Sequence, residues 1–213
     1  MNATGKPTIG DNVAIVFPGQ GSQFVGMGQD LAVSSPAARA IFDVADATLG
    51  FSLSQLCFTG PASKLDDTVN TQPAILTVSI ASLEALRERA TRHDQELSPS
   101  VVAGHSLGEF SALVAASVFD FPTALSLVRE RGRLMKQAGD DTPGGMAAVI
   151  GLDESTLAAV CDEARGNGVV NVANANCPGQ IVISGEIEPL LRAIELAKTL
   201  GAKRVARLGI SIA

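Results

Sequence analysis

Val101-Val102-Ala103-Gly104-His105-Ser106-Leu107-Gly108-Glu109-Phe110-Ser111-Ala112-Leu113-Val114-Ala115-Ala116 decides the fold. A short apolar run, a Gly-x-Ser-x-Gly pentapeptide at 104–108 and a helical pattern follow one another without a break. Strand, sharp turn and helix in that order make a nucleophile elbow, which holds a serine on a strained turn above a parallel sheet. A serine hydroxyl is a weak nucleophile and must stand clear of the sheet to meet a carbonyl carbon. Gly104 and Gly108 remove the side chains that would crowd such a turn. A helix starting at Ser106 points free N–H groups at the site, and the N–H of Leu107 is then a donor to a developing oxyanion. The competing reading of the same residues is a tight strand-to-helix turn with a capping serine.

Upstream, Val13-Ala14-Ile15-Val16-Phe17 is a continuous apolar run that predicts a buried parallel strand. Helical patterns cover 37–49, 72–92 and 120–138, with Pro99 closing the connection to the elbow strand. The class is therefore α/β with a parallel sheet. Gly139-Asp140-Asp141-Thr142-Pro143-Gly144-Gly145 reads as a loop. Beyond it, strands at 146–150, 169–173, 180–184 and 203–208 and helices at 153–165 and 187–200 follow the order β-α-β-β-α-β, a ferredoxin-like pattern. The expected organisation is an α/β-hydrolase-like large domain, 1–138 plus 208–213, with a ferredoxin-like small domain, 139–207, inserted into it.

The glycine-rich loop after the first strand fails as a nucleotide site. Phe24 stands where the dinucleotide fingerprint needs its third glycine, and Met27 where a P-loop needs lysine. The loop is either a plain turn or a source of a second oxyanion donor. Of the 213 residues, 46% are hydrophobic and 18% charged, the net charge is −6, and Trp and Tyr are absent. Nucleic acid is thus a poor partner. Cys57, Cys161 and Cys177 form no C-x-x-C pair, and neither histidine is near a cysteine in sequence, so no metal is expected and a reducing, cytoplasmic compartment fits. No stretch reads as a membrane span or a signal peptide.

The general base is harder to find. His105 and Ser106 are consecutive residues leaving a strand and point to opposite faces, which puts His105 under the elbow with a nitrogen bonded to backbone. His93 lies in a charged helix end and reads as a solvated residue. No third histidine is present, so either the base is Lys, Asp or Glu, or this chain stops before its base.

Phe17-Pro18-Gly19-Gln20-Gly21-Ser22-Gln23, Gly104-His105-Ser106-Leu107-Gly108-Glu109-Phe110, Arg129-Glu130-Arg131-Gly132 with Met135, and 174–185 (Asn174 to Gly185) occur in this order. Together they resemble the malonyl-CoA:acyl-carrier-protein transacylases and the acyltransferase domains of fatty-acid and polyketide synthases. The resemblance implies that Ser106 carries the acyl group as an ester. It implies that the N–H groups of Gln20 and Leu107 form the oxyanion hole and that Arg131 holds the free carboxylate of malonate. A planar guanidinium suits a carboxylate, and the alternative for Arg131 is a surface pair with Glu130 or Asp140. The implied partners are malonyl-CoA or a related acyl-CoA and an acyl carrier protein, with coenzyme A thioester as substrate and no cofactor. In the family the base is a histidine just beyond the position of Ala213. This chain alone is therefore expected to turn over weakly or not at all, unless a complementing C-terminal chain supplies that residue.

Two other functions fit the residues. One is an acyl hydrolase on the same scaffold. The other is a non-catalytic carrier-docking fragment, since Lys198, Lys203, Arg204 and Arg207 gather near the last predicted helix and strand. Solvated charges at element ends explain those four residues equally well.

Overall fold

The structure is a computed structural model that describes residues 7–9 and 12–208. The chain divides into two compact units, Met1–Arg133 and Leu134–Ala213. The fold class is α/β, with parallel pairs in the first unit and an antiparallel sheet in the second.

In the first unit, β1 (Thr8–Ile9) and β2 (Ala14–Phe17) are followed by helices α1 (Gln29–Ser34), α2 (Pro36–Leu49), α3 (Leu53–Thr59), α4 (Ala62–Leu65) and α5 (Thr68–Arg92). Then come β3 (Glu96–Leu97), β4 (Val101–Gly104), α6 (Gly108–Ala115) and α7 (Phe121–Asp141), whose last turns lie beyond the unit boundary. β1 pairs with β3, and β2 with β4 from Ala14↔Val101 to Phe17↔Gly104, all parallel. The expectation of a buried strand at 13–17 is corrected. Phe17 is buried, but Val16 is 70% and Val101 57% exposed. Side chains alternate along a strand. Helices α5 and α6 cover one face of the β2–β4 pair through Leu83 and Ala112, and the other face is open among the described residues.

The main core of this unit gathers Phe42, Leu53, Leu76, Ile80, Leu107 and Leu125. Through its first three turns α5 is buried nearly all round, from Thr71 to Thr77 without interruption. Such a helix shows no amphipathic stripe, and the sequence pattern therefore placed its start at 72 instead of Thr68. Pro73 lies inside it and donates no N–H to the carbonyl of Val69. Arg129 fills that gap, donating Nη1 to Val69 O at 2.9 Å and to Asn70 Oδ1 at 2.6 Å. At Gly132 a Cβ would stand 2.7 Å from the carbonyl oxygen of Thr68, so this glycine lets α7 lie directly on the first turn of α5.

The second unit adds β5 (Gly144–Ile150), α8 (Glu154–Arg165), β6 (Val170–Cys177), β7 (Gln180–Glu186), α9 (Ile187–Thr199) and β8 (Arg204–Arg207). The sheet order is β6-β7-β5-β8 with every pairing antiparallel. Leu157, Val160, Ile183, Leu190 and Ala193 form its core between the sheet and the two helices. The loop expected at 139–145 shrinks to Thr142 and Pro143. α7 runs on to Asp141, and Gly144 and Gly145 pair with Glu186 and Gly185. Glycines cannot be told from a loop by composition when a partner strand supplies their hydrogen bonds. Of the segment 208–213 expected to return to the large domain, only Leu208 lies within the described residues.

The turn between β4 and α6 depends on two bare Cα atoms. A Cβ at Gly104 would stand 1.9 Å from the carbonyl carbon of Gly108, and one at Gly108 would stand 2.3 Å from the carbonyl oxygen of Phe17. Both obstacles are backbone and cannot rotate away. Gly104→Ala should therefore destabilise the fold by more than the ~1–3 kcal/mol typical of overpacking, read from urea denaturation; a loss below ~1 kcal/mol would contradict this packing.

Candidate active site

Parallel pairing of β2 and β4 puts their C-terminal loops side by side, where open α/β sheets bind ligands. His105 N–H extends the ladder by one bond to Phe17 O at 3.1 Å, and the chain then turns sharply. Ser106 has φ +51°, a left-handed conformation that a non-glycine residue adopts only at a cost of about 1–3 kcal/mol. It is exposed, while the Leu107 side chain below it is fully buried. α6 begins at Gly108, not at Ser106 as expected, with Leu107 as its N-cap. The N–H of Leu107 thus stays outside the helical ladder. Among the described residues, neither it nor the N–H of Gln20 donates to a backbone carbonyl. These are the two donors assigned to the oxyanion.

The loop bearing Gln20 is tied down by its own side chains. Ser22 Oγ donates to Gly19 O at 2.9 Å, and Gly21 N–H donates to Gln23 Oε1 at 2.8 Å. Gln23 Nε2 donates to Asp66 Oδ1 at 2.9 Å. His105 does not pack beneath the elbow. It is exposed, and its Nδ1 lies against Gly19, where a Cβ would come within 2.9 Å of it. The alternation of strand side chains stops at Gly104, so it does not direct the next residue. His93 is exposed at the C-cap of α5, as expected.

Arg131 reaches the serine. Its Nη2 donates to Ser106 Oγ at 3.1 Å, and its Nη1 donates to Gln72 Oε1 at 2.7 Å. Glu130, one of its two alternative partners, is held instead by Arg133 at 2.7 Å. Arg131 is half-buried, and burial pushes its guanidinium below the ordinary arginine value while the nearby Glu109 carboxylate opposes that shift. A cation drawn partly out of water with neutral hydrogen-bond partners is ready to receive an anion.

Gln72 and Thr68 escaped the sequence reading. Gln72 is fully buried and Thr68 nearly so. Gln72 Nε2 donates to Thr68 Oγ1 at 3.2 Å, and Thr68 Oγ1 donates to Gln20 Oε1 at 3.1 Å. The available signal was polar residues spaced i, i+4 at the head of an otherwise apolar helix.

The four basic residues of the second unit do not form one patch. Lys198 is paired with Glu195 at 2.7 Å. On the edge strand β8, Arg204 stands opposite Ile150 and Arg207 opposite Ala147, an odd spacing that puts them on opposite sheet faces. The Lys203 stem lies over Gly151. Among the described residues no group of three or more His, Cys, Asp or Glu side chains is placed to hold a metal, and no helix is long and apolar enough to cross a membrane.

A malonyl CoA-acyl carrier protein transacylase of Bacillus subtilis (strain 168) is 49% identical over 93% of this chain and 61% of its own length. The crystal structure of an acyl-carrier-protein S-malonyltransferase from Burkholderia pseudomallei 1710b superposes with TM-score 0.85 at 44% identity, over 93% of this chain and 63% of that one. A malonyl-transacylase solved in complex with a holo type II PKS acyl-carrier protein gives TM-score 0.85 at 41% identity, over 97% and 64%. The chain therefore spans under two thirds of the length of these relatives. The acyl transferase domain family itself matches residues 14–212, nearly the whole sequence, and the chain belongs to that family.

Proposed function

We propose that the protein moves a malonyl group from coenzyme A to the phosphopantetheine thiol of an acyl carrier protein, through an ester on Ser106. The observation that carries this reading is the Arg131 guanidinium 3.1 Å from the serine oxygen. With Gln72 on Nη1, the Nε–Nη2 edge receives the distal carboxylate of malonyl-CoA once Nη2 leaves the serine oxygen that it holds in the free protein. Ser106 Oγ attacks the thioester carbonyl, and the oxyanion is received by the N–H groups of Gln20 and Leu107. Collapse expels the coenzyme A thiolate and leaves the ester. The carrier thiol then attacks the ester, passes through a second oxyanion and regenerates the serine. Thioester, ester and thioester are close in energy, so neither ATP nor a metal is required. Ser106 must give up its proton and later recover one, and among the described residues Arg131 is the side chain bonded to Oγ, a donor that cannot serve as the base. The family resemblance assigns that role to a histidine beyond the position of Ala213.

Within this reading the first unit is the α/β-hydrolase-like large domain. The second, with its β-α-β-β-α-β order and antiparallel sheet, is the ferredoxin-like small domain. Arg204 and Arg207 on β8 are candidates for carrier contact, though on separate faces.

An acyl hydrolase uses the same elbow, but a hydrolase of neutral acyl chains has no use for a half-buried cation at the nucleophile. Incubated with malonyl-CoA and a complementing chain that supplies the family's histidine, the wild type should gain a malonyl mass and Ser106→Ala none; an unmodified wild type under those conditions, or a modified alanine variant, would refute the reading. Arg131→Ala should lower malonyl transfer by at least about a hundredfold while uncharged acyl-CoA is retained or improved, as expected when a charge-assisted pair worth several kcal/mol is removed. Preserved malonyl preference in that variant would remove the carboxylate clamp from the mechanism.

A further inference from the structure

The hydrogen bonds around Arg131 do not stop at the carboxylate site. Arg131 Nη1 donates to Gln72 Oε1, Gln72 Nε2 donates to Thr68 Oγ1, and Thr68 Oγ1 donates to Gln20 Oε1. At its other end Arg131 Nη2 donates to Ser106 Oγ. The result is one chain from the nucleophile, through the guanidinium, to the side chain of the residue whose backbone N–H faces the oxyanion. The donors along the Gln72–Thr68–Gln20 arm all point away from the cation. Bonds aligned in this way polarise one another, and the two inner members are buried where water cannot replace them.

Each member has its direction set by the previous one. With Oε1 committed to the guanidinium, the Gln72 amide must present Nε2 to Thr68. With a lone pair taken by Nε2, the Thr68 hydroxyl turns its proton to Gln20. Thr68 and Gln72 are four residues apart on the first turns of α5, so the helix itself sets their spacing. The absence of a side chain at Gly132 lets α7 approach the Thr68 carbonyl closely enough for Arg131 to reach across.

We infer that Thr68 is a positioning residue, which registers the oxyanion-donating loop at Gln20 on the guanidinium that receives the substrate carboxylate. The inference rests on the proposed malonyl transfer. It deepens that reading by making the acyl-end cation and the carbonyl-end donor one device. A substrate that engages Arg131 would then meet a Gln20 N–H already aimed at its carbonyl, and the benefit appears in the transition state more than in binding. Thr68→Val keeps the shape of the side chain and removes the link.

The test is steady-state malonyl transfer by the protein with a complementing chain that supplies the family's histidine, with thermal melting measured alongside. Thr68→Val should lower kcat about ten- to a hundredfold, the range expected from a small misplacement of a catalytic group, with KM within about twofold of wild type. Thr68→Ser, which restores the hydroxyl, should recover most of kcat. A Thr68→Val protein with unchanged kcat, a loss confined to KM, or a loss that serine fails to rescue would each overturn the inference. If Thr68→Val does not fold, Gln20→Met breaks the chain at its exposed end and should show the same fall in kcat; unchanged kcat there would overturn it equally. A wild type that transfers no malonyl would contradict the proposed function and this inference together. A wild type that transfers malonyl, with Thr68→Val unaffected, would contradict the inference alone.

Discussion

A guanidinium taken partly out of water must be held by something, and at Arg131 the holders are Gln72 and Ser106. The first is buried amide and the second is the residue on the elbow. Neither is charged. The cation is thus fixed in direction without being neutralised, and the Glu109 carboxylate acts on it only at a distance. A salt bridge in the same place would have oriented the arginine equally well but would have left little attraction for an incoming carboxylate.

The helices exist in the arrangement this pair needs. α5 is packed so tightly that its first turns carry buried Thr68, Thr71 and Gln72, each with a hydrogen-bond partner. Pro73 interrupts its ladder, and Arg129 closes the opening from α7. Arg129 and Arg131 thereby make two arginine–amide contacts to α5, at Asn70 and Gln72, beside the close approach at Gly132. On the sheet side, Gly104 and Gly108 bring β4, α6 and β2 into backbone contact, and this fixes Ser106 in its left-handed turn. Strain at the serine is sustained because the backbone on both sides has no other place to go.

The elbow, the parallel pair beneath it and the regular β-α-β-β-α-β run were legible because each rests on local pattern: glycines at fixed offsets, apolar runs of strand length, and helical spacing. Arg131 was legible only through resemblance, since nothing local separates it from Arg129 or Arg133. The start of α5 and the role of Gln72 were not legible. A helix buried on all sides offers no stripe to count, and a proline inside it imitates a first turn. The exposed face of Val16 contradicts the buried strand expected at 13–17 for a related reason: an apolar strand records what it is suited to pack against, not whether a partner is present among the described residues. His105 shows the limit of alternation, which holds along β4 and lapses one residue past its end.

Malonyl transfer as proposed requires the carboxylate of the acyl group to meet Arg131 while its carbonyl oxygen meets the loop and elbow N–H groups. A crystal structure of the intact protein carrying a malonyl ester on Ser106 tests this directly. The carboxylate should lie about 2.7–2.9 Å from Arg131 Nη2 or Nε, with Nη1 still on Gln72 and the ester carbonyl oxygen facing the N–H groups of Gln20 and Leu107. A carboxylate turned to solvent, with Arg131 still bonded to the serine oxygen, would contradict it.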